Sequence, residues 1–97
     1  MRVIARSTLR EYWQQHQDTE QPLKAWYQEV RAATWQTPAD IKAQYRSASL
    51  VGDRRVVFNI AGNKHRLVVV VRYRLQRVYV RFIGTHAEYD RIDAREV

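Results

Sequence analysis

Residues 54–83 read RRVVFNIAGNKHRLVVVVRYRLQRVYVRFI, and this stretch decides the fold. Its valine, isoleucine, phenylalanine and tyrosine favour β-strands, and we expect three strands, over residues 54–60, 66–74 and 77–83. Residues 61–64 should form a turn, because Gly62 and Asn63 tolerate positive φ, and residues 75–76 are a connection short enough for a tight hairpin. Two consecutive hairpins predict an antiparallel β-meander.

Before this stretch, apolar side chains recur at the i, i+3, i+4, i+7 spacing of one helix face. Two segments show the spacing: Leu9, Tyr12, Trp13 and His16, and then Leu23, Trp26, Tyr27 and Val30. Two such helices with a short connection form a helix hairpin. The meander offers a surface on which their aromatic faces can be buried.

Shorter signals place the ends of these elements. Residues 3–5 are expected to form a strand at a sheet edge. Ser7 is expected to cap the first helix, and Thr19 or Gln21 the second, with Pro22 near its first position.

Short helices are also expected over residues 37–45 and 87–94. Helices and strands thus occupy separate parts of the chain, which indicates an α+β fold rather than alternating βαβ units. The 97 residues suit a single domain, spanning 1–97, and leave no room for two independent cores.

The composition carries a strong positive charge. Lys and Arg number 17 against 10 Asp and Glu, a net charge of +7, and fourteen of the cations are Arg. Because the planar guanidinium group grips phosphate at two points, a nucleic-acid partner is expected. A solvated positive surface that serves solubility is the alternative.

The chain contains no cysteine, which excludes disulfides and Cys-based zinc sites. Its longest apolar run, residues 67–71, is far too short to cross a bilayer, and the first residues lack the apolar run of a signal peptide. We therefore expect a soluble, cytoplasmic protein with no membrane partner.

Side chains alternate across a strand, so each predicted strand has two faces. One face should bury its apolar rows against the helices; Phe82 belongs to it, and Arg54 shares the row of Val56. The opposite rows, which include Ile83, should face outward as one basic surface: Arg55, Asn59, Arg66, Arg72, Arg74, Arg77, Tyr79 and Arg81. An RNA phosphate chain would relieve the repulsion between these arginines, and Tyr79 offers a base-stacking surface. An ordinary solvated sheet face is the alternative.

Groups for acid–base chemistry are few. The pair His86 and Asp90 is only a weak metal signal, so no metal or other cofactor is expected. RNA can still be cleaved, because the ribose 2′-OH can attack the neighbouring phosphate. His86 follows the last strand and suits proton transfer near neutral pH, although a lone histidine is more often structural. His16, on an apolar helix face, and His65, in a turn, are weaker candidates.

Two motifs point to a family. The pattern VFN-x-x-GN-x-x-R over residues 57–66, followed by THxEYD over residues 85–90, resembles the HigB-type toxins of bacterial toxin–antitoxin pairs. This resemblance implies a RelE-like fold, with a helix pair packed on an antiparallel sheet. It also implies an RNA endonuclease that cuts mRNA on the ribosome and is neutralised by a HigA-like helix-turn-helix antitoxin.

The resemblance also implies site residues. The Gly-Thr-His step is similar to that of a related toxin whose histidine is catalytic, which makes His86 the leading general acid or base. Arg66 matches the strand arginine directed at the scissile phosphate, and Arg81 is expected to share that role. Tyr89 takes the place of an aromatic residue that positions a base. Which group is the base and which the acid stays open among His86, Arg66, Lys64 and Tyr89.

Further residues are expected to bind the RNA backbone, among them Asn63 and Lys64 beside the site. Asp90 either orients His86 or caps the last helix. Together with the outward rows, the predicted RNA-binding set is Arg55, Asn59, Asn63, Lys64, Arg72, Arg74 and Tyr79.

Two other functions stay open from the residues alone. One is a non-catalytic RNA- or ribosome-binding module that uses the same basic face. The other is a structural subunit whose basic sheet docks an acidic protein, for which RNA binding would be negligible even at low salt.

Overall fold

The computed structural model describes residues 1–52 and 54–97, and within these residues the chain forms five β-strands and four α-helices. The strands are β1 (Arg2–Ile4), β2 (Ser49–Val51), β3 (Arg55–Ile60), β4 (His65–Arg72) and β5 (Arg77–Thr85). The helices are α1 (Arg6–Gln15), α2 (Glu20–Ala32), α3 (Pro38–Gln44) and α4 (His86–Tyr89).

The strands form one mixed sheet in the order β1-β5-β4-β3-β2. Strands β2 to β5 make the antiparallel meander, and β1 pairs in parallel with β5 at one edge. The α+β fold, the hairpin of α1 and α2, and the edge position of β1 are confirmed. The short strand β2 was not predicted, because its three residues are specified mainly by pairing with β3.

The helix starts differ in part from the expectation. Ala5, not Ser7, precedes α1; it has a left-handed φ of 76°, and no side chain caps the helix, because the chain turns sharply out of β1. Thr19 precedes α2 as expected, but its hydroxyl donates to the carbonyl of His16 instead of capping the helix. Pro22 is the third residue of α2, within its first turn.

Two arginines lie outside the strands to which they were assigned. Arg54 has a φ of 61° in the connection before β3, so it does not continue the strand's alternation. Arg74 lies in the turn over residues 73–76, which the positive φ of Gln76 closes, because β4 already ends at Arg72.

The main core lies between the helices and one face of the sheet, as predicted. Leu9, Leu23 and Val30 of the helix hairpin are fully buried there. Phe58 of β3 packs edge-on against Trp26, with ring centroids 5.4 Å apart. Burying side chains of this size contributes about 1.5–3 kcal/mol each, so this contact fixes which face of the sheet the helices cover.

A β-bulge changes the faces of β5. Val68 pairs with Phe82 while Val69 pairs with Val80, so Arg81 is an extra residue with no partner in the ladder. A one-residue slip exchanges the two faces of a strand. Phe82 therefore joins the outer face and Ile83 the core face, which is the reverse of the prediction.

The outer face was expected to be open to solvent, but part of it is covered. A second apolar cluster lies there, in which Val57 and Val68 are buried beneath the chain that follows α4. We call residues 91–97 the closing segment; Ala94 is its buried residue. The predicted C-terminal helix is confirmed but is shorter than residues 87–94: α4 ends at Tyr89, and the chain then lays apolar side chains onto the sheet.

Candidate nucleic-acid interface and catalytic site

The end of β5 places His86 at a defined point. Thr85 and Glu88 form a capping box: the Thr85 hydroxyl accepts from the Glu88 amide at 3.2 Å, and the Glu88 carboxylate accepts from the Thr85 amide at 2.8 Å. The two Thr85 hydrogen bonds lower the pKa of the Glu88 carboxyl. Because this pattern starts a helix, His86 becomes the first residue of α4.

The His86 ring lies at the surface, with its side chain about half exposed (47%). Its Nδ1 lies 3.1 Å from a carboxylate oxygen of Asp90, one turn later in the chain. Its main-chain amide donates to the carbonyl of Lys64 at 2.9 Å, which ties the start of α4 to the β3–β4 turn. A carboxylate near Nδ1 favours an imidazole orientation that leaves Nε2 for a substrate.

Arg66 lies beside the start of α4, because its partner in the sheet is Gly84, two residues before His86. Its guanidinium group lies over the Tyr89 ring, 5.8 Å from the centroid. One guanidinium nitrogen donates to the main-chain oxygen of Asn63 at 3.1 Å. The structure thus brings together Arg66, Tyr89, His86 and Asp90, which we call the rim cluster.

The other predicted RNA-binding residues divide into two places. Asn63 and Lys64 are exposed in the turn next to the rim cluster, and Asn59 pairs with Arg66 across the sheet. Beyond the apolar cluster lies a groove of about 370 Å³, lined by Arg54, Arg55, Val70, Arg72, Tyr79 and Arg81. Arg81 lines this groove because the bulge directs its side chain there.

Two further arginines extend the basic surface. Arg74 shares a hollow with Arg54 and Arg72 at the end of the groove. Arg77 pairs with Arg72 on one side and with Arg2 on the other, which makes a row of like charges across three strands. Among the described residues, no arginine forms an ion pair with an aspartate or glutamate. The positive charge therefore stays available to an anionic partner.

Sequence reasoning missed a buried polar network beneath the rim cluster. His65 is the first residue of β4 rather than part of a turn, and it is 5% exposed. Its Nδ1 lies 2.7 Å from the Tyr12 hydroxyl and its Nε2 lies 2.9 Å from an Asp18 carboxylate oxygen, while His16 stacks on Tyr12. The hydrogen bond with His65 lowers the pKa of the Asp18 carboxyl, and burial raises the pKa of Tyr12 to about 12. These contacts anchor the strand start that carries Arg66.

We predict that Gly84→Ala destabilises the site. A Cβ at this position would lie 2.6 Å from the Phe82 ring and 3.1 Å from the Glu88 carboxylate, so the capping box would have to shift. The free energy of unfolding should fall by about 1–3 kcal/mol, as expected for overpacking, when measured by denaturant titration. The exposed substitution Ala87→Ser is the control, with a change of less than about 0.5 kcal/mol. Equal stability of Gly84→Ala and the parent chain would show that a Cβ at this position fits between Phe82 and Glu88 without cost.

Neither a metal-binding cluster nor a membrane span is present in the part of the chain that the structure describes. No three His, Cys, Asp or Glu side chains converge there as a metal site would require. No described helix has the length and apolar character needed to cross a membrane.

Comparisons with known proteins indicate a family. A sequence model of the HigB toxin family, described as the RelE-like toxic component of a toxin–antitoxin system, matches residues 19–92. The mRNA interferase toxin HigB of Escherichia coli K12 is 28% identical over 92 residues, which cover 93% of this chain and 88% of that protein. Proteins named mRNA interferase HigB from Escherichia coli O157:H7 and Shigella flexneri match to the same extent.

Proposed function

The chain belongs to the HigB toxin family, the RelE-like toxic components of toxin–antitoxin systems, and on this premise we propose that it is an endoribonuclease that cleaves mRNA. The name mRNA interferase, which the related proteins carry, supports this substrate. The observation that carries the proposal is the rim cluster: an exposed imidazole with a carboxylate oxygen 3.1 Å from its Nδ1 shares helix α4 with Tyr89, over whose ring the guanidinium group of Arg66 lies.

The reaction needs three contributions from the protein. A base removes the proton from the ribose 2′-OH, whose oxygen attacks the adjacent phosphorus. A cation stabilises the negative charge that develops on the phosphate, and an acid protonates the departing 5′-oxygen. The bond to the 5′-oxygen breaks as the 2′-oxygen bond forms, which leaves a cyclic phosphate and a 5′-hydroxyl.

The rim cluster supplies these contributions from its own side chains. His86 transfers a proton through Nε2, because a carboxylate oxygen of Asp90 lies 3.1 Å from its Nδ1. Arg66 stabilises the phosphate charge with the guanidinium donors that its Asn63 contact leaves unused. Tyr89 positions a base by stacking, and either Lys64 or Tyr89 carries the second proton.

The partners follow from the same proposal. The message is cut while it is being translated, so the ribosome is a partner and the site of action is the cytoplasm. A HigA-like helix-turn-helix antitoxin neutralises the protein. Among the described residues, the arginines of the outer face form no ion pair with an aspartate or glutamate, which supports both an RNA and an acidic protein as ligands.

Expression of the chain without its antitoxin is expected to arrest growth. In a purified translation system, mapping of message ends should then find new 5′-hydroxyl ends in translated mRNA. An intact message that stays bound to the protein would replace the proposed nuclease with a non-catalytic RNA-binding module. Negligible RNA binding at low salt would favour an acidic protein as the partner.

A further inference from the structure

The groove on the outer face is a strong anion site by composition. Four guanidinium groups surround it, and no carboxylate of the described residues lines it. Like charges held this close repel one another, and an anion that enters the groove relieves the repulsion. Val70 of β4 and Tyr79 of β5 are partners in the sheet and both line the groove, so the groove also has an apolar floor.

A protein oxygen already lies against two of these arginines. The main-chain oxygen of Val97 accepts a hydrogen bond from Arg55 Nη2 at 2.8 Å and another from Arg81 Nε at 3.2 Å. Arg81 can reach it because the bulge releases this residue from the regular ladder. The Nε of Arg55 is buried and has no hydrogen-bond partner among the described residues. One oxygen therefore uses only part of the donors that the two side chains offer.

We propose that Arg55 and Arg81 form a second phosphate-binding subsite for an RNA strand, which the closing segment occupies until RNA displaces it. The inference rests on the proposed function, since it takes RNA as the ligand. A phosphodiester presents two anionic oxygens, so it can accept hydrogen bonds from both guanidinium groups at once. Tyr79 beside the subsite would stack on a neighbouring base.

The path that an RNA strand would take across the sheet leads to the same conclusion. Arg81 and Gly84 are three residues apart on β5, which places the subsite about 10 Å from the position opposite Arg66. The apolar cluster under the closing segment lies between them. An RNA strand that runs from the rim cluster to the groove therefore has to cross or displace this segment.

Few hydrogen bonds join the closing segment to the sheet. Residues 91–97 contain no helix or strand, and apart from the two hydrogen bonds that the Val97 oxygen accepts, their hydrogen bonds are short-range, such as that from the Val97 amide to the Asp93 carbonyl. Of its side chains only Ala94 is buried, while Ile92 and Val97 are partly buried. Release would also uncover Val57 and Val68, so RNA binding has to offset the loss of this apolar contact.

The test measures binding of a fluorescent, single-stranded oligouridylate by anisotropy, with His86→Ala in every chain so that the probe is not cut. Removing residues 93–97 should raise the affinity about tenfold, the gain expected if the segment occupies the subsite about nine-tenths of the time. Arg81→Gln should lower the affinity about tenfold. It should also reduce the salt slope of log K by about 0.7.

The matched control is Arg10→Gln, which removes the same charge from the exposed surface of α1, on the opposite side of the sheet. It should change the affinity far less than Arg81→Gln. A folded chain without residues 93–97 that binds no more tightly than the parent would overturn the proposal. So would equal effects of the two arginine substitutions.

A second measurement covers the case in which the shortened chain does not fold. In the full chain, addition of the oligouridylate should move the amide resonances of Glu96 and Val97 toward those of an unstructured peptide. Resonances that stay fixed while that of Arg66 shifts would overturn the displacement. If these binding tests fail but the protein still cleaves mRNA, the proposed function stands and only the subsite is excluded. If the closing segment is displaced but mRNA is not cleaved, the subsite stands and the nuclease is excluded.

Discussion

His86→Ala is expected to lower the rate of RNA cleavage by about a hundredfold to ten-thousandfold, the range for loss of a positioned proton-transfer group. The capping box does not use the His86 side chain, since it is made by Thr85 and Glu88. The substitution should therefore leave α4 and the fold intact. Single-turnover cleavage of a translated message measures the effect, and denaturant unfolding checks the stability.

Two comparisons separate chemistry from structure for this variant. Ala87→Ser alters the next exposed residue of α4 and should keep nearly full activity. Free imidazole added to the His86→Ala protein should restore part of the cleavage, because it can occupy the space left by the ring. A folded His86→Ala protein that cleaves as fast as the parent would remove His86 from the mechanism.

The regular part of the sheet could be predicted because strand alternation is a local property. The rows Val56–Phe58–Ile60 and Leu67–Val69–Val71 lie on the core face as expected. The bulge at Arg81 could not be predicted, because an extra residue leaves no mark in the pattern of apolar residues. It nevertheless decides the faces of Phe82 and Ile83, and it directs the guanidinium group of Arg81 into the groove.

Other features depend on contacts between distant parts of the chain. The partners of His65 are 47 and 53 residues away, so no local spacing indicates that this histidine is held from both sides. The closing segment lacks a period of its own, and only the sheet beneath it explains why Ala94 is buried. By contrast, the spacing of Thr85 and Glu88 is the sequence signature of a capping box, so the start of α4 could have been found from the sequence.

Arg66→Ala is expected to lower cleavage by about a hundredfold to a thousandfold, the usual result of removing one donor to the charge of a transition state. Arg66→Lys should recover only part of this loss. Lysine keeps the charge but lacks the planar fork that can bind phosphate at two points while lying over the Tyr89 ring.

The control for Arg66 has to separate a local contact from overall charge. Arg46→Ala removes the same charge at an exposed position after α3, so it should weaken RNA attraction only slightly. Cleavage rates at saturating message then isolate the chemical step, because a residue that only attracts RNA affects the affinity and not this rate. Equal, small losses for Arg66→Ala and Arg46→Ala would mean that the outer face attracts RNA by its total charge. A loss confined to Arg66→Ala, with only partial recovery in Arg66→Lys, would require the guanidinium group beside Gly84 to act on the reacting phosphate.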